Sequence, residues 1–363
     1  MTTDTTPQFS FTDTTVEPIQ FLDDEGNLLD GATPALDDDQ VLEALHLMML
    51  GRTFDTKSFS LQRQGKLGTF APMVGQEASF AGSAMALDPK TDWVAPQYRE
   101  FIALVRQGYA PETIALYRMG HPDGGHIPEG VNVLQHQISL AAQIPHAVGL
   151  GWGMKLKGSP GVSVAYFGEG SSSEGDFHES MNLAGVVKAP VIFFLSNNQW
   201  AISTPREIQS AAADLSSRAQ GYGMPGVSVD GNDLLAVHKV TAEAVARARA
   251  GEGPTLIEAH TFRMWAHTTA DDPTRYVNPE VKKRWAKRDP IDRIQKYLAK
   301  RNRWGGEMIE AWEREINERV EAIFESANNH RAPTPEDVYE HTFVERNPTL
   351  ERQRAWNLSG TEG

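Results

Sequence analysis

Two short stretches of this 363-residue chain combine residue types at a spacing that could do chemistry. Gly168-Glu169-Gly170 is followed, after the 26 residues 171–196, by Asn197-Asn198-Gln199-Trp200. A carboxylate and an amide are hard oxygen donors, the kind that Mg²⁺ or Ca²⁺ carrying a diphosphate asks for. The glycines allow close backbone approach, and a helix that follows offers free N–H groups to an anion. Either stretch alone is weak, since an Asn pair after a strand reads first as turn chemistry. Their combination carries the site reading. The run is not the dinucleotide fingerprint, because Ser173 stands where its third Gly or Ala belongs. Nor is it a Walker A motif, because no Gly-Lys-Ser/Thr follows.

The elements that must position these donors are legible around them. Apolar runs at Val162–Phe167, Val191–Leu195, Val227–Val229 and Thr255–Ala259 alternate with helical patterns at Glu179–Val187 and Leu234–Arg249. Nearly uninterrupted apolar strands separated by helices imply an α/β fold with a central parallel sheet covered by helices on both faces. Ligands of such sheets sit at the carboxyl ends of the strands. The loops after Phe167, Leu195 and Thr261 are therefore expected to converge on one rim.

The remainder sets limits. Lys plus Arg is 34 and Asp plus Glu 48, a net charge of 34 − 48 = −14, which argues against a nucleic-acid partner. Cysteine is absent, which excludes disulfides, thiolate metal sites and thiol nucleophiles. The run Val191–Leu195 is far short of the ~20 residues of a membrane span, and no signal-peptide pattern opens the chain. A cytoplasmic enzyme or assembly subunit, without membrane or nucleic-acid partners, is the expectation. Residues 1–40 read as an acidic surface extension, with Asp37 or Asp38 capping a helix through Val41, Leu42, Leu45, Met48 and Met49. Residues 41–300 read as the main domain and 301–363 as a C-terminal helix and tail. In that last part, Ile309, Trp312, Ile316, Val320 and Ile323 form one apolar packing stripe. Lys282-Lys283-Arg284 with Lys287-Arg288 reads as a solvated helix face, and residues 331–363 as a wrapping tail.

Gly168-Glu169-Gly170 followed by Asn197-Asn198 resembles the thiamine diphosphate signature, and the chain as a whole resembles the alpha subunit of the E1 component of 2-oxo acid dehydrogenase complexes. Further segments carry the resemblance over about residues 40–300: Gly75-Gln76-Glu77-Ala78, Gln97-Tyr98-Arg99-Glu100, Ile127-Pro128-Glu129-Gly130, Ala142-Gln143-Ile144-Pro145, Val229-Asp230-Gly231-Asn232-Asp233 and His267-Thr268-Thr269-Ala270-Asp271-Asp272. The resemblance implies a thiamine diphosphate-binding fold. It implies that Glu169, Asn198 and the Trp200 carbonyl hold Mg²⁺, and that Gly170 and Ser171 meet the diphosphate together with Tyr98 and Arg99. Ile138 and Leu140 would meet the aminopyrimidine side, and His267 would serve proton transfer on a mobile loop. A free imidazole titrates near ~6.5, so His267 is expected to be donor or acceptor at neutral pH. Phe70 and Gln97 are expected in the acyl pocket, with His126 a second candidate. The implied activity is oxidative decarboxylation of pyruvate or a branched-chain 2-oxo acid, with reductive acylation of a lipoylated E2 core. A separate beta subunit would complete an α₂β₂ heterotetramer.

The departures from the family pattern also speak. Glu169 stands where many thiamine enzymes have Asp, a longer arm also found in branched-chain members. Ala142 replaces a Thr that helps ligate a structural K⁺ in branched-chain enzymes, so that ion is not expected. Thr268 stands where animal enzymes carry a regulatory Ser, so kinase control is not carried over. Two alternatives stay open, an acetoin-cleaving E1 alpha subunit and a non-catalytic scaffold subunit.

Overall fold

The computed structural model describes residues 17–340 and 342–359, so residues 1–16 of the expected extension and the end of the expected tail lie outside the described residues. Three strands come first: β1 (Trp93–Ala95), β2 (Ser163–Gly168) and β3 (Val191–Asn197). A small antiparallel hairpin of β4 (Trp200–Ala201) and β5 (Thr204–Pro205) follows, then β6 (Gly226–Asp230) and β7 (Thr255–His260). Five of them form one parallel sheet in the order β1-β2-β3-β7-β6. All four strands expected from the apolar runs are present. β1 is an addition, three residues long and ended by Pro96, too short to show as an apolar run.

Side chains alternate across the sheet, and both faces are covered. Val164, Tyr166, Ile192, Phe194 and Ile257 enter one core with the helices Asp38–Arg63, Glu77–Met85 and Leu234–Arg249. Their neighbours Ala165, Phe167, Val191, Phe193, Leu195 and Leu256 enter a second core with the helices Gln143–Leu156 and Gly175–Val187. This two-sided burial is why the strands read as continuous apolar text. The register pairs Gly168 with Ser196 and Asn197 with His260, so β2, β3 and β7 end at one rim.

Asp37 caps the helix Asp38–Arg63 through a reciprocal pair: its carboxylate accepts from Gln40 N at 2.9 Å, and Gln40 Oε1 accepts from Asp37 N at 3.0 Å. The stripe of the helix Glu307–Asn328 packs on the first core, with Ile316, Val320 and Ile323 buried and Ile309 and Trp312 against them. Lys282, Lys283, Arg284 and Lys287 are exposed, as expected, but Arg288 is ion-paired to Asp24 and Asp230.

The reading of the N-terminal segment as a surface extension is corrected at Leu22. Ile19 bridges to Val229 alongside β6, and Leu22 is fully buried. The cause is Asp233, which caps the helix Leu234–Arg249 with one carboxylate oxygen and accepts from the Phe21 and Leu22 amides, each at 2.6 Å, with the other. At the far end, the expected wrapping tail includes a helix, Pro348–Ser359, that buries no residue. Among the described residues no helix is long and apolar enough to cross a membrane.

Candidate active site

Glu169 opens a single 3₁₀ turn where β2 ends, and Asn198 follows the end of β3. The parallel register makes these strand ends neighbours. Asn198 N donates to Glu169 Oε2 at 3.2 Å, so the backbone of the second expected residue meets the carboxylate of the first. A turn at Gln199, held at φ +75°, swings the chain back, and Trp200 N donates to Asn198 Oδ1 at 3.3 Å. Gly170 lies under this hairpin: a Cβ there would stand 2.8 Å from the Ala201 Cβ. Only a glycine lets the turn and the hairpin close on each other.

These residues line one cavity of about 530 Å³. The expected residues Gln97, Tyr98, Arg99, Ile138, Leu140, Glu169, Gly170, Ser171, Asn198, Trp200 and His267 all face it. Ile138 and Leu140 stand exposed at its mouth. Two expected residues are not among its lining: Phe70 is buried behind Thr69 and Ala71, and His126 is exposed on the loop after the 3₁₀ turn Pro122–Gly125.

The cavity holds polar groups left without partners. Glu169 is 2% exposed, and its Oε1 has no hydrogen-bond partner. Burial pushes its carboxyl above the ordinary value, only partly offset by backbone N–H groups and the Arg263 and Arg99 cations. The Nε2 atoms of Gln76 and Gln97 are orphaned as well. An orphaned carboxylate oxygen in one cavity with the Asn198 side chain and the Arg99 cation suits a divalent cation bound to a polyanion. This donor set fits Mg²⁺ with a diphosphate.

Three residues that bear on the site escape a reading by strand ends. Gln76 Oε1 accepts from Asn198 Nδ2 at 3.1 Å and so fixes which way that amide points. Its loop comes close because Gly75, at φ +95°, leaves no room for a Cβ, which would stand 2.5 Å from Phe262 O. Arg263 donates to the carbonyls of Trp200 (3.3 Å) and Ile202 (2.7 Å) and to the Tyr276 hydroxyl (2.7 Å). Arg118 also lines the cavity. Only Gln76 carried a sequence signal, the Gly75-Gln76-Glu77-Ala78 segment.

His267 sits on the loop after β7, its amide held by Asp271 at 2.7 Å. Its Nδ1 lies 3.0 Å from Arg99 Nη2 and 3.4 Å from Arg263 Nη1. A guanidinium can only donate, so Nδ1 carries the lone pair and Nε2 the proton. Burial, then Arg99 and Arg263, pushes this imidazole down to about 3. The expected titration near neutrality is thereby corrected: in the ligand-free chain His267 is a neutral Nε2–H donor.

Two clusters of three His or carboxylate groups lie elsewhere among the described residues. His121, Asp123 and His330 join the tail to the body: the Arg331 guanidinium lies 3.0 Å from Asp123, and its carbonyl lies 2.9 Å from His121 Nε2. Asp214, Glu258 and His260 lie beneath the rim, where Glu258 Oε1 accepts from Asn197 Nδ2 at 2.6 Å.

The sequence model of the dehydrogenase E1 component family matches residues 45–336. The chain belongs to that family. It is 41% identical over 343 residues to proteins named pyruvate dehydrogenase E1 component subunit alpha from Staphylococcus aureus (strain Mu50) and Staphylococcus epidermidis (strain RP62A), covering 93% of this chain and 91% of each relative. The expectation of an E1 alpha chain of the 2-oxo acid dehydrogenase class holds, and so does the expected thiamine diphosphate-binding fold.

Proposed function

We propose that this chain is the alpha subunit of a pyruvate dehydrogenase E1 that binds thiamine diphosphate with Mg²⁺ and acts with a separate beta subunit in the cytoplasm. The observation that carries the reading is the buried, half-partnered carboxylate of Glu169 against Asn198 at two adjacent strand ends. Glu169, Asn198 Oδ1 and the Trp200 carbonyl would hold the cation. The Gly170 and Ser171 amides, with Tyr98 and Arg99, would hold the diphosphate, and Ile138 and Leu140 would meet the pyrimidine end. Arg99 suits this role because a planar, permanently charged fork matches phosphate oxygens. When bound, the cofactor supplies the electron sink for loss of CO₂. The work of the chain's own residues is to grip, to orient and to hold a proton on His267 Nε2.

The names of the relatives support pyruvate over a branched-chain 2-oxo acid. A difference of one or two methylenes is worth only ~1–3 kcal/mol in a pocket, so the preference is one of degree. The open, apolar mouth at Ile138, Leu140 and Ile202 supports a second chain closing the site, and an α₂β₂ assembly that delivers its acyl group to a lipoylated E2. The test is reconstitution with the beta chain, measuring kcat/KM for pyruvate and for 3-methyl-2-oxobutanoate with and without Mg²⁺ and thiamine diphosphate. Turnover by the alpha chain alone, or turnover that needs neither addition, would overturn the reading.

A further inference from the structure

Arg118 is the last residue of the helix Pro111–Arg118 and faces the same cavity. It has no carboxylate within ion-pair distance among the described residues, although Arg52, Arg249 and Arg293 each have one. Nη2 donates to the Tyr98 carbonyl at 2.5 Å, while Nε is buried without a partner. The guanidinium lies 5.5 Å from the Phe70 ring centre and 5.8 Å from that of Tyr117, two faces that tolerate a cation but do not neutralise it. Loss of solvation lowers its pKa, and the more distant Asp55 and Glu100, with Tyr117, offset this only in part.

Its neighbours tie it to the reacting end. The Tyr98 ring stands edge-on to His267, with centroids 6.3 Å apart, and the Phe70 carbonyl accepts from Thr269 N on the His267 loop at 3.1 Å. A half-buried cation with an unpartnered Nε and no carboxylate within ion-pair distance, facing this cavity, is suited to an anionic ligand.

We propose that Arg118 is a substrate-binding residue that takes the carboxylate of the 2-oxo acid and so sets the preference for an anionic substrate. This rests on the proposed function. It assigns to Arg118 a different anion from the diphosphate held by Arg99.

The test uses the reconstituted assembly with Arg118→Met, which keeps length and loses charge, and Arg118→Lys, which keeps charge and loses the fork. With Arg118→Met the KM for pyruvate should rise about 10–100-fold. The kcat should stay within ~3-fold, as expected when binding common to ground and transition states is lost. The dissociation constant of Mg²⁺–thiamine diphosphate, read by calorimetry, should not move. Inhibition by neutral methyl pyruvate should be unchanged, so the preference for the acid over the ester collapses, and Arg118→Lys should recover part of it. An unchanged KM overturns the assignment. So does a cofactor affinity that falls in parallel, because Arg118 would then only be supporting the Tyr98–Arg99 turn. If the parent assembly turns over neither pyruvate nor 3-methyl-2-oxobutanoate, the proposed function fails and takes this assignment with it.

Discussion

Beside β6, Arg288 and Arg293 each reach two carboxylates, Asp24 and Asp230, whereas in the cavity at the ends of β2 and β3 neither Glu169 nor Arg118 has an opposite charge within ion-pair distance among the described residues. In the first region the fully buried Arg293 lies 2.8 Å from Asp230 and 3.1 Å from Asp24, and Arg288 reaches the same two acids. Burial opposes the Arg293 charge, yet Asp230, Asp233 and Asp24 outweigh it and its pKa ends above the ordinary value. In the second region burial wins, and Glu169 is pushed towards its neutral form. A buried charge that already has its partner belongs to the fold. One that waits for a partner belongs to a ligand.

The sharpest way to break this contrast is Asp230→Ala. It removes the buried one of the two acids shared by Arg288 and Arg293, leaving them only the exposed Asp24, and should cost about 3–5 kcal/mol of unfolding free energy in urea titrations. A loss below ~1 kcal/mol would mean that the pairing is dispensable.

Glu169→Gln should do the reverse. The ligand-free chain should melt no lower than the parent at pH 8, because a carboxyl whose folded pKa is raised loses stability as pH rises through that pKa. Affinity for Mg²⁺–thiamine diphosphate, read by calorimetry, should meanwhile fall by more than the ~10–100-fold that loss of a metal ligand's supporting partner costs.

Glu258 is the intermediate case, an acid buried first by its surroundings and then against Asp214, which together push it up to about 8. His260 lies 3.8 Å away, and Arg218 adds an opposite charge nearby. The unfolded carboxyl ionises near 4.5, so between that value and about 8 the folded chain holds the extra proton and stability falls as pH rises. Asp214, depressed instead, contributes stability that is lost as pH falls. Glu258→Gln should flatten this slope and leave the chain more stable than the parent at pH 8. An unchanged slope in denaturation curves from pH 5 to 8 would show that Glu258 is already ionised.

The smallest effect touches no stability at all. In the ligand-free chain the His267 ring resonances should stay fixed from pH 5 to 8, since its pKa lies at about 3. Inorganic pyrophosphate, by neutralising Arg99 and Arg263, should bring a titration back towards that range. A His267 that titrates normally without the anion would break the picture of two uncompensated guanidiniums around it.

Much of this is legible in the sequence. The strands could be read because two-sided burial makes their sequence continuous, and Glu169 with Asn198 because a parallel sheet brings successive strand ends together. β1 could not be read, being shorter than any apolar period. Gln76 lies 122 residues from Asn198, and only the resemblance of its segment points to the site, while Arg118 lies 20 from Tyr98 with nothing local to tie it to the rim. The lowered pKa of His267 is not legible in the sequence for the same reason. A lone imidazole has an ordinary pKa, and only the fold sets Arg99 and Arg263 around Nδ1. Leu22 was misjudged as surface because its anchor, Asp233, lies 211 residues away.

The two short bridges flanking the sheet, Ile19 to Val229 on β6 and Val133 to Val94 on β1, have a consequence for how the protein survives at high concentration. Outermost strands expose rows of unmet amide and carbonyl groups that recruit strands from other molecules. Here each flank is plugged by a few residues of the same chain. Loss of residues 17–22 would unplug one flank, and polymerisation through β6 would compete with refolding.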